Sequence, residues 1–456
     1  MANTNPLEIP EIRINIGQHL GLSDLARYLT VSRSWYASFL PLVWSSVNIR
    51  VAGCNPTVES LRRHVHLVKN LTYHTEAWRK YDLIPCSNLL SLELHCNTGS
   101  SPIVIAQYDQ LRDLVISGGQ PRIFTPRPIW KPTHSMLNLL SLKIDQMDIE
   151  PAATEVFWDL CSRLHSLDIL NTGIARLPDR SMTFERLQKL GLWLRPAHPF
   201  EQQLDWIAQC PNLTNLYWSD QSGRMAVSSD AFANRVASGA WPELSELRLI
   251  HHSPSDAQLS RIIHGMRQVK ALDVYESQFG LPTITALRPH FHVLRKLNTI
   301  FTETVMGSIA PEILASCPQL EDFTIGRIMS QDILQGRPWI CERSMRSLRL
   351  NVAISPVQDV DQHQQLILER ISRLINLENL TLRHFQYDEE NTQLGLRLGK
   401  GLERLSTLKK LVNLNFLNYT QELSTAEAQV SNDILVTLMS EKVCSAEDLS
   451  LIFDPS

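Results

Sequence analysis

"CSNLLSLELHC", residues 86–96, decides the fold of this 456-residue chain. Leu92 and Leu94 are two apart, so in an extended segment both face one side while Glu93 and His95 face the other. Leu89 stands three residues ahead, completing a frame L-x-x-L-x-L. The frame recurs at Leu111-Leu114-Ile116, Leu139-Leu142-Ile144, Leu164-Leu167-Ile169, Leu187-Leu190-Leu192, Leu213-Leu216-Trp218, Leu244-Leu247-Leu249 and Val269-Leu272-Val274. It continues at Leu320-Phe323-Ile325, Met345-Leu348-Leu350, Leu377-Leu380-Leu382 and Leu411-Leu414-Phe416, with a weaker copy at Leu294-Leu297-Thr299. Leu71 anchors an earlier copy and Leu449-Leu451 a last one.

Middle positions of successive frames are mostly 22 to 28 residues apart, as from 92 to 114 and from 114 to 142. That length holds one strand plus one return segment per turn of a solenoid. Stacked in parallel, the strands line one wall and the return segments the other. Several return segments read as helices: 229–240, with Ala231, Phe232, Val236 and Ala237 inward, and 260–266, 309–315, 366–374 and 430–439. Three late spacings of 32 to 35 residues (348 to 380, 380 to 414, 414 to 449) predict loops at 355–364, 387–402 and 418–425 bulging from one rim. Cys86, Cys161, Cys210, Trp241 and Cys317 each stand three residues before a frame's first apolar position. The expected role is a buried hydrophobe at the corner into the strand.

This pattern resembles the longer, helix-backed leucine-rich repeats, including their Cys-containing form. The resemblance implies an α/β horseshoe with parallel strands on its concave face and a mostly helical convex face.

The first residues follow another pattern. Ile9, Ile12, Ile16 and Leu20 lie at helical spacing, with Pro10 in the first turn. Gly21 breaks the run, Ser23 is the expected N-cap of a second helix carrying Leu25, and Val31, Trp35, Phe39 and Val43 form a third stripe widened by Leu40 and Trp44. About forty residues cannot build a robust core of their own. Either this head packs on the first repeats or another polypeptide covers it. The expected division is residues 6–47 as the head, 48–88 as a connection with a degenerate repeat, and 89–456 as the repeat domain.

The head resembles an F-box. Glu11, Ile12, Ile16 and Leu20 match the family's first helix, Asp24-Leu25 its middle, Val31-Ser32-Arg33-Ser34-Trp35 its valine-to-tryptophan segment, and Val43-Trp44 its closing pair. The family's usual Leu-Pro start is displaced: Ile9 stands where the proline is expected and Pro10 one place later. The resemblance implies a non-catalytic substrate-recognition subunit of a cullin–RING ubiquitin ligase. Its head would dock on the small adaptor subunit through Ile9, Pro10, Ile12, Ile16, Leu20, Leu25, Val31 and Trp35, and its repeats would hold a protein substrate. Trp35, Ile16 and Val31 could instead hold the three helices together. The alternative for the whole chain is a leucine-rich-repeat scaffold or receptor with no ubiquitin role, its head serving as a cap.

Outward positions on the ladder are Glu93, His95, Asp113, Lys143, Asp145, Asp168, Trp193, Tyr217, Ser219, Arg248, Asp273, Tyr275, Arg349 and Arg383. Trp193, Tyr217, Arg248 and Tyr275 fall on four consecutive frames, about 5 Å apart per strand step, and are of the residue types enriched at interface hot spots. They are the candidate substrate-binding residues. The scattered aspartates are too far apart for a metal cage.

Composition limits the function classes. A net charge of −4 points to neither a nucleic-acid groove nor an anionic membrane as the main partner. Eight cysteines without a C-x-x-C pair suit reduced thiols. No secretory leader and no apolar run of roughly 20 residues is visible, so the expected location is intracellular, cytoplasmic and/or nuclear. No G-x-S-x-G or H-E-x-x-H motif occurs. "GLRLGKG", residues 395–401, lacks the spacing and the Ser or Thr of a phosphate loop. His64-Val65-His66 and His251-His252 have no spaced partners for a metal. No catalytic residue, cofactor or metal is expected.

Overall fold

The computed structural model describes residues 6–50, 55–74, 81, 84–96, 108–118, 123–125, 130, 133, 136–195, 198–219, 225–274, 278–299, 306–354, 359–383, 392–393 and 401–417. The chain divides into two compact units, Met1–Leu213 and Thr214–Ser456.

In the first unit, helices α1 (Pro10–Gly17), α2 (Leu22–Tyr28) and α3 (Arg33–Ser45) lead directly into strand β1 (Ser46–Ile49). Strands β2 (Asn70–His74), β3 (Ser91–Cys96), β4 (Asp113–Gly118), β6 (Ser141–Asp145), β8 (Ser166–Ile174) and β9 (Lys189–Leu194) follow in one parallel ladder. Partners are in frame: Val47 with Leu71, Leu71 with Leu92, Leu92 with Leu114, Leu142 with Leu167, and Leu167 with Leu190. Short strands β5 (Ile123–Thr125) and β7 (Met147–Ile149) form a second parallel ladder with the end of β8, which the hydrophobic pattern alone did not foretell.

The ladder therefore begins at Ser46, one turn before Leu71. Val47 and Ile49 take the two inward places and are buried. Trp44 stands three ahead of Val47, so Trp44-Val47-Ile49 is a further copy of the frame.

The second unit holds β10 (Asn215–Ser219), β11 (Glu246–Ile250), β12 (Ala271–Val274), β13 (Lys296–Thr299), β14 (Asp322–Met329), β15 (Ser347–Ile354), β16 (Asn379–Arg383), β17 (Thr392–Gln393) and β18 (Asn413–Leu417). All are parallel neighbours except β17, which runs antiparallel to β15. Helices Met225–Ala237, Asp256–Gly265 and Leu281–Leu287 lie side by side on the return layer. Leu247, Leu249, Leu272 and Val274 on the strands and Phe232, Val236, Leu259, Ile262 and Ile263 on the helices are all at most 2% exposed. Fully burying each such side chain contributes about 1.5–3 kcal/mol. Both units are mostly parallel sheets with flanking helices, consistent with a solenoid of the leucine-rich-repeat type.

Two backbone devices recur along the ladder. The corner residue's carbonyl accepts from the N–H three residues on, as in Leu89 to Cys86 (3.2 Å), Leu164 to Cys161 (3.2 Å) and Leu244 to Trp241 (3.2 Å). Then two successive N–H groups converge on one carbonyl of the preceding turn: Leu90 and Ser91 on Lys69, His165 and Ser166 on Leu140, Lys270 and Ala271 on Ser245. Where Asn precedes the first leucine, its side chain adds a third bond. Asn88 donates to His66 O at 2.7 Å, and Asn376 to Arg343 O at 2.6 Å. Cys86, Cys161, Cys210 and Cys317 at the corners are fully buried, and Trp241 is 1% exposed.

The expectations for residues 430–439, 449–451 and 418–425, and most of 387–402, lie outside the described residues, as does "GLRLGKG" except its final Gly401; of 355–364 only 355–358 lie outside, and the loop expected there gives way to a helix, Val360–Ser372, capped by the Asp359 side chain.

Candidate interaction surfaces

Helix α1 is built inside out. Its sequence, PEIRINIG, alternates isoleucine with other residues, and a helix cannot turn every second residue to one side. Arg13 and Gly17 face inward. Gly17 has no room for a side chain: a Cβ there would lie 2.5 Å from Leu42 Cδ1 and 2.9 Å from the Phe39 ring. That close approach brings α1 onto α3. Arg13 is 4% exposed, and its Nε donates to Ser38 Oγ (3.0 Å) while Nη1 donates to Leu7 O (2.9 Å).

The isoleucines are left outside. Of sixteen exposed large apolar side chains among the described residues, nine belong to the head: Leu7, Ile9, Ile12, Ile14, Ile16, Leu22, Tyr28, Val31 and Tyr36. So many within thirty residues make a patch rather than scattered exposure. Among the residues expected at an adaptor, Ile9, Pro10, Ile12, Ile16 and Val31 are exposed, Leu20 and Trp35 are half-buried, and Leu25 is buried at 6%. Leu20 was expected on the first helix's apolar face. It lies beyond that helix, which ends at Gly17, and Ile9 is its N-cap. Gly21, not Ser23, caps α2, and Ser32 caps α3 by accepting from Trp35 N at 3.2 Å. Trp35 joins two helices, its ring 5.3 Å from Tyr28 and 5.3 Å edge-on to Phe39. Leu7, Ile14, Leu22, Tyr28 and Tyr36 were missed by the sequence reading. The alternating Ile12-Ile14-Ile16 was the signal for the second of them.

The outward face of the first unit carries Thr72, Glu93, Lys143 and Asp168 in one row and His74, His95, Ser117, Asp145, Leu170 and Trp193 in the next. His74 and His95 stack at 4.5 Å, and His95 Nε2 lies 3.3 Å from Glu93 Oε1. Trp193 is half-buried. Asp168 leans across Gly191, where a Cβ would meet its carboxylate. Burial lifts the Asp168 carboxyl above its ordinary range, opposed by Lys143 and Lys189.

In the second unit, Tyr217, Arg248, Asp273, Asn298, Thr324, Arg349, Thr381 and Asn415 form one row. The structure brings Tyr217 and Arg248 together, the guanidinium carbon 4.9 Å from the ring centre. Arg248 Nε also reaches Asp273 Oδ2 at 3.2 Å, and Lys296 stands between Asp273 (3.9 Å) and Asp322 (3.0 Å). Arg248 is thus already engaged within the chain. Burial raises the Asp273 carboxyl, against the pull of Arg248 and Lys296. Tyr275 lies outside the described residues.

No group of three or more His, Cys, Asp or Glu among the described residues could hold a metal ion. Burial pushes the thiols of Cys86 and Cys96 up to about 11 and of Cys341 to about 12, with Cys161, Cys210 and Cys317 also raised. That is opposite to a nucleophile's needs. No helix among the described residues is long and apolar enough to cross a membrane.

No family model matches the chain, and no curated protein matches it. Among solved structures it is similar to a leucine-rich-repeat protein of Leptospira interrogans, at 15% identity and a TM-score of 0.39 over 87% of this chain and 93% of that one. It is also similar to an internalin from Listeria monocytogenes, at 12% identity and a TM-score of 0.32 over 87% and 94%. The repeat architecture is read from the chain's own frame and ladder.

Proposed function

We propose that this chain is a non-catalytic protein-interaction scaffold: its repeats hold one polypeptide and its head engages another. The single observation behind this is helix α1, which buries an arginine while leaving Ile9, Ile12, Ile14 and Ile16 each 36–40% exposed. Apolar area turned outward at the expense of a charge turned inward is favourable when another surface covers it. The end of α3 also packs at the start of the ladder, where the Trp44 ring lies 4.8 Å from that of His64, tilted at 36°. One head thus serves as cap and as dock. The test is cross-linking mass spectrometry on complexes purified with the full chain, beside the variant I12D/I16D. Cross-links to residues 7–36 disappear in the variant while the melting curve is kept. Unchanged cross-links sink the reading.

A second reading is favoured by which residues stay open. Ile9, Pro10, Ile12, Ile16 and Val31, five of the positions carried over from the F-box resemblance, are exposed. In this reading the covering polypeptide is the small adaptor of cullin–RING ligases, and the ladder presents a protein for ubiquitin transfer by partner enzymes. Raising a substrate's local concentration beside that machinery is the gain. Purified adaptor then co-elutes with the wild-type chain and not with I12D/I16D. Absence of co-elution at micromolar concentrations removes the ligase reading and leaves the scaffold.

A further inference from the structure

The outward face of the second unit is not uniform in charge. On β10–β13 the ionic residues are Glu246, Arg248, Asp273 and Lys296, two of each sign, and the last three are linked by ion pairs. On β14–β16 the described outward ionic side chains are Asp322, which is engaged by Lys296, and Arg349. Arg349 lies between Thr324 and Thr381 in the ladder, with no ion-pair partner among the described residues. Thr324 and Thr381 are both 6% exposed, so this cation sits half-buried between two hydroxyl-bearing strands about 4.8 Å to either side. Two residues on, on the same face, Asn351 is 4% exposed and its Nδ2 has no hydrogen-bond partner among the described residues. Arg327 and Arg383 occupy the backbone positions on either side of Asn351.

We infer that the β14–β16 face is a docking site for an acidic peptide segment of a partner protein, with Arg349 as its anchor. An uncompensated, partly desolvated guanidinium gains most from a carboxylate that it can grip with two N–H groups. Self-neutralised β10–β13 offers an acidic segment no such gain, so charge complementarity places the segment at this end of the face. The inference rests on the reading of the ladder as a protein-binding face.

The probe is a fluorescein-labelled Glu/Asp-rich peptide, titrated with the full chain and followed by anisotropy. Binding is expected at low salt and weakens as salt rises. Arg349→Gln weakens it about tenfold or more, whereas Arg248→Gln changes it less than about twofold. Arg349→Lys retains an intermediate affinity, and circular dichroism melts check that each variant is folded. No binding at low salt overturns the inference, as does an equal loss in R248Q and R349Q. Binding of a single-stranded oligonucleotide but not of the peptide overturns it too. The head's cross-links do not depend on Arg349, so failure here counts against the acidic site alone.

Discussion

Arg13 Nε donates to Ser38 Oγ across 25 residues of sequence, at 3.0 Å and out of solvent. Ser38 Oγ in turn donates to Ser34 O at 3.1 Å, so the cation is tied into α3 rather than into a carboxylate. Hydrogen bonds to a charged group contribute about 1.5–3 kcal/mol. Arg13→Ala is therefore expected to free α1 from α3 while the repeats stay folded. Hydrogen exchange checks it: amides of residues 10–17 lose protection and those of β3 to β9 do not. Uniform loss of protection would refute the picture.

Thr299 takes the last inward place of its frame, where the other frames carry Leu, Ile, Val or an aromatic residue. It is fully buried and its Oγ1 has no hydrogen-bond partner among the described residues. A buried hydroxyl without a hydrogen bond costs about 1–3 kcal/mol. Thr299→Val is expected to raise the denaturant midpoint, and a lower midpoint would show that the hydroxyl is satisfied.

The six described cysteines, Cys86, Cys96, Cys161, Cys210, Cys317 and Cys341, are all buried. With thiols held above their ordinary range, they should resist iodoacetamide at pH 8 in the folded chain and react once it is unfolded. Peptide mapping reads the outcome at each site, and rapid native labelling of Cys161 would contradict the packing.

Burial of Asp273 predicts a pH dependence whose sign can be worked out. Burial lifts its folded value above the ordinary 3.8, so the folded state holds the proton more tightly than the unfolded one. Its contribution to stability is therefore greatest near and below that value and falls as pH rises through the window above 3.8. Compared with Asp273→Asn across that range, the wild type loses ground to the variant as pH increases. A difference that moves the other way would mean that Arg248 and Lys296 outweigh burial.

Leu92, Leu114, Leu272 and Leu348 could be placed inward from spacing alone because the strand period is two and their turns repeat. Trp44-Val47-Ile49 was hidden because the same tryptophan completed the head's apolar stripe. Gly17 and Arg13 were not legible, since only the approach of Leu42 and Phe39 shows why a glycine and an arginine face inward. The Arg248–Asp273 pair could have been found, because both hold the middle outward place of successive frames. Arg349 stood among the outward residues, but its lack of a partner depends on what its neighbours do with their own charges.

The converging N–H pairs at each corner have an evolutionary consequence. They tie the inner edge of a turn to its predecessor, yet place no demand on the length of chain between them. Insertions can accumulate there, since Leu380 and Leu414 are paired in register across 34 residues just as Leu247 and Leu272 are across 25. New specificities can be tried on the rim while the ruler beneath keeps its spacing.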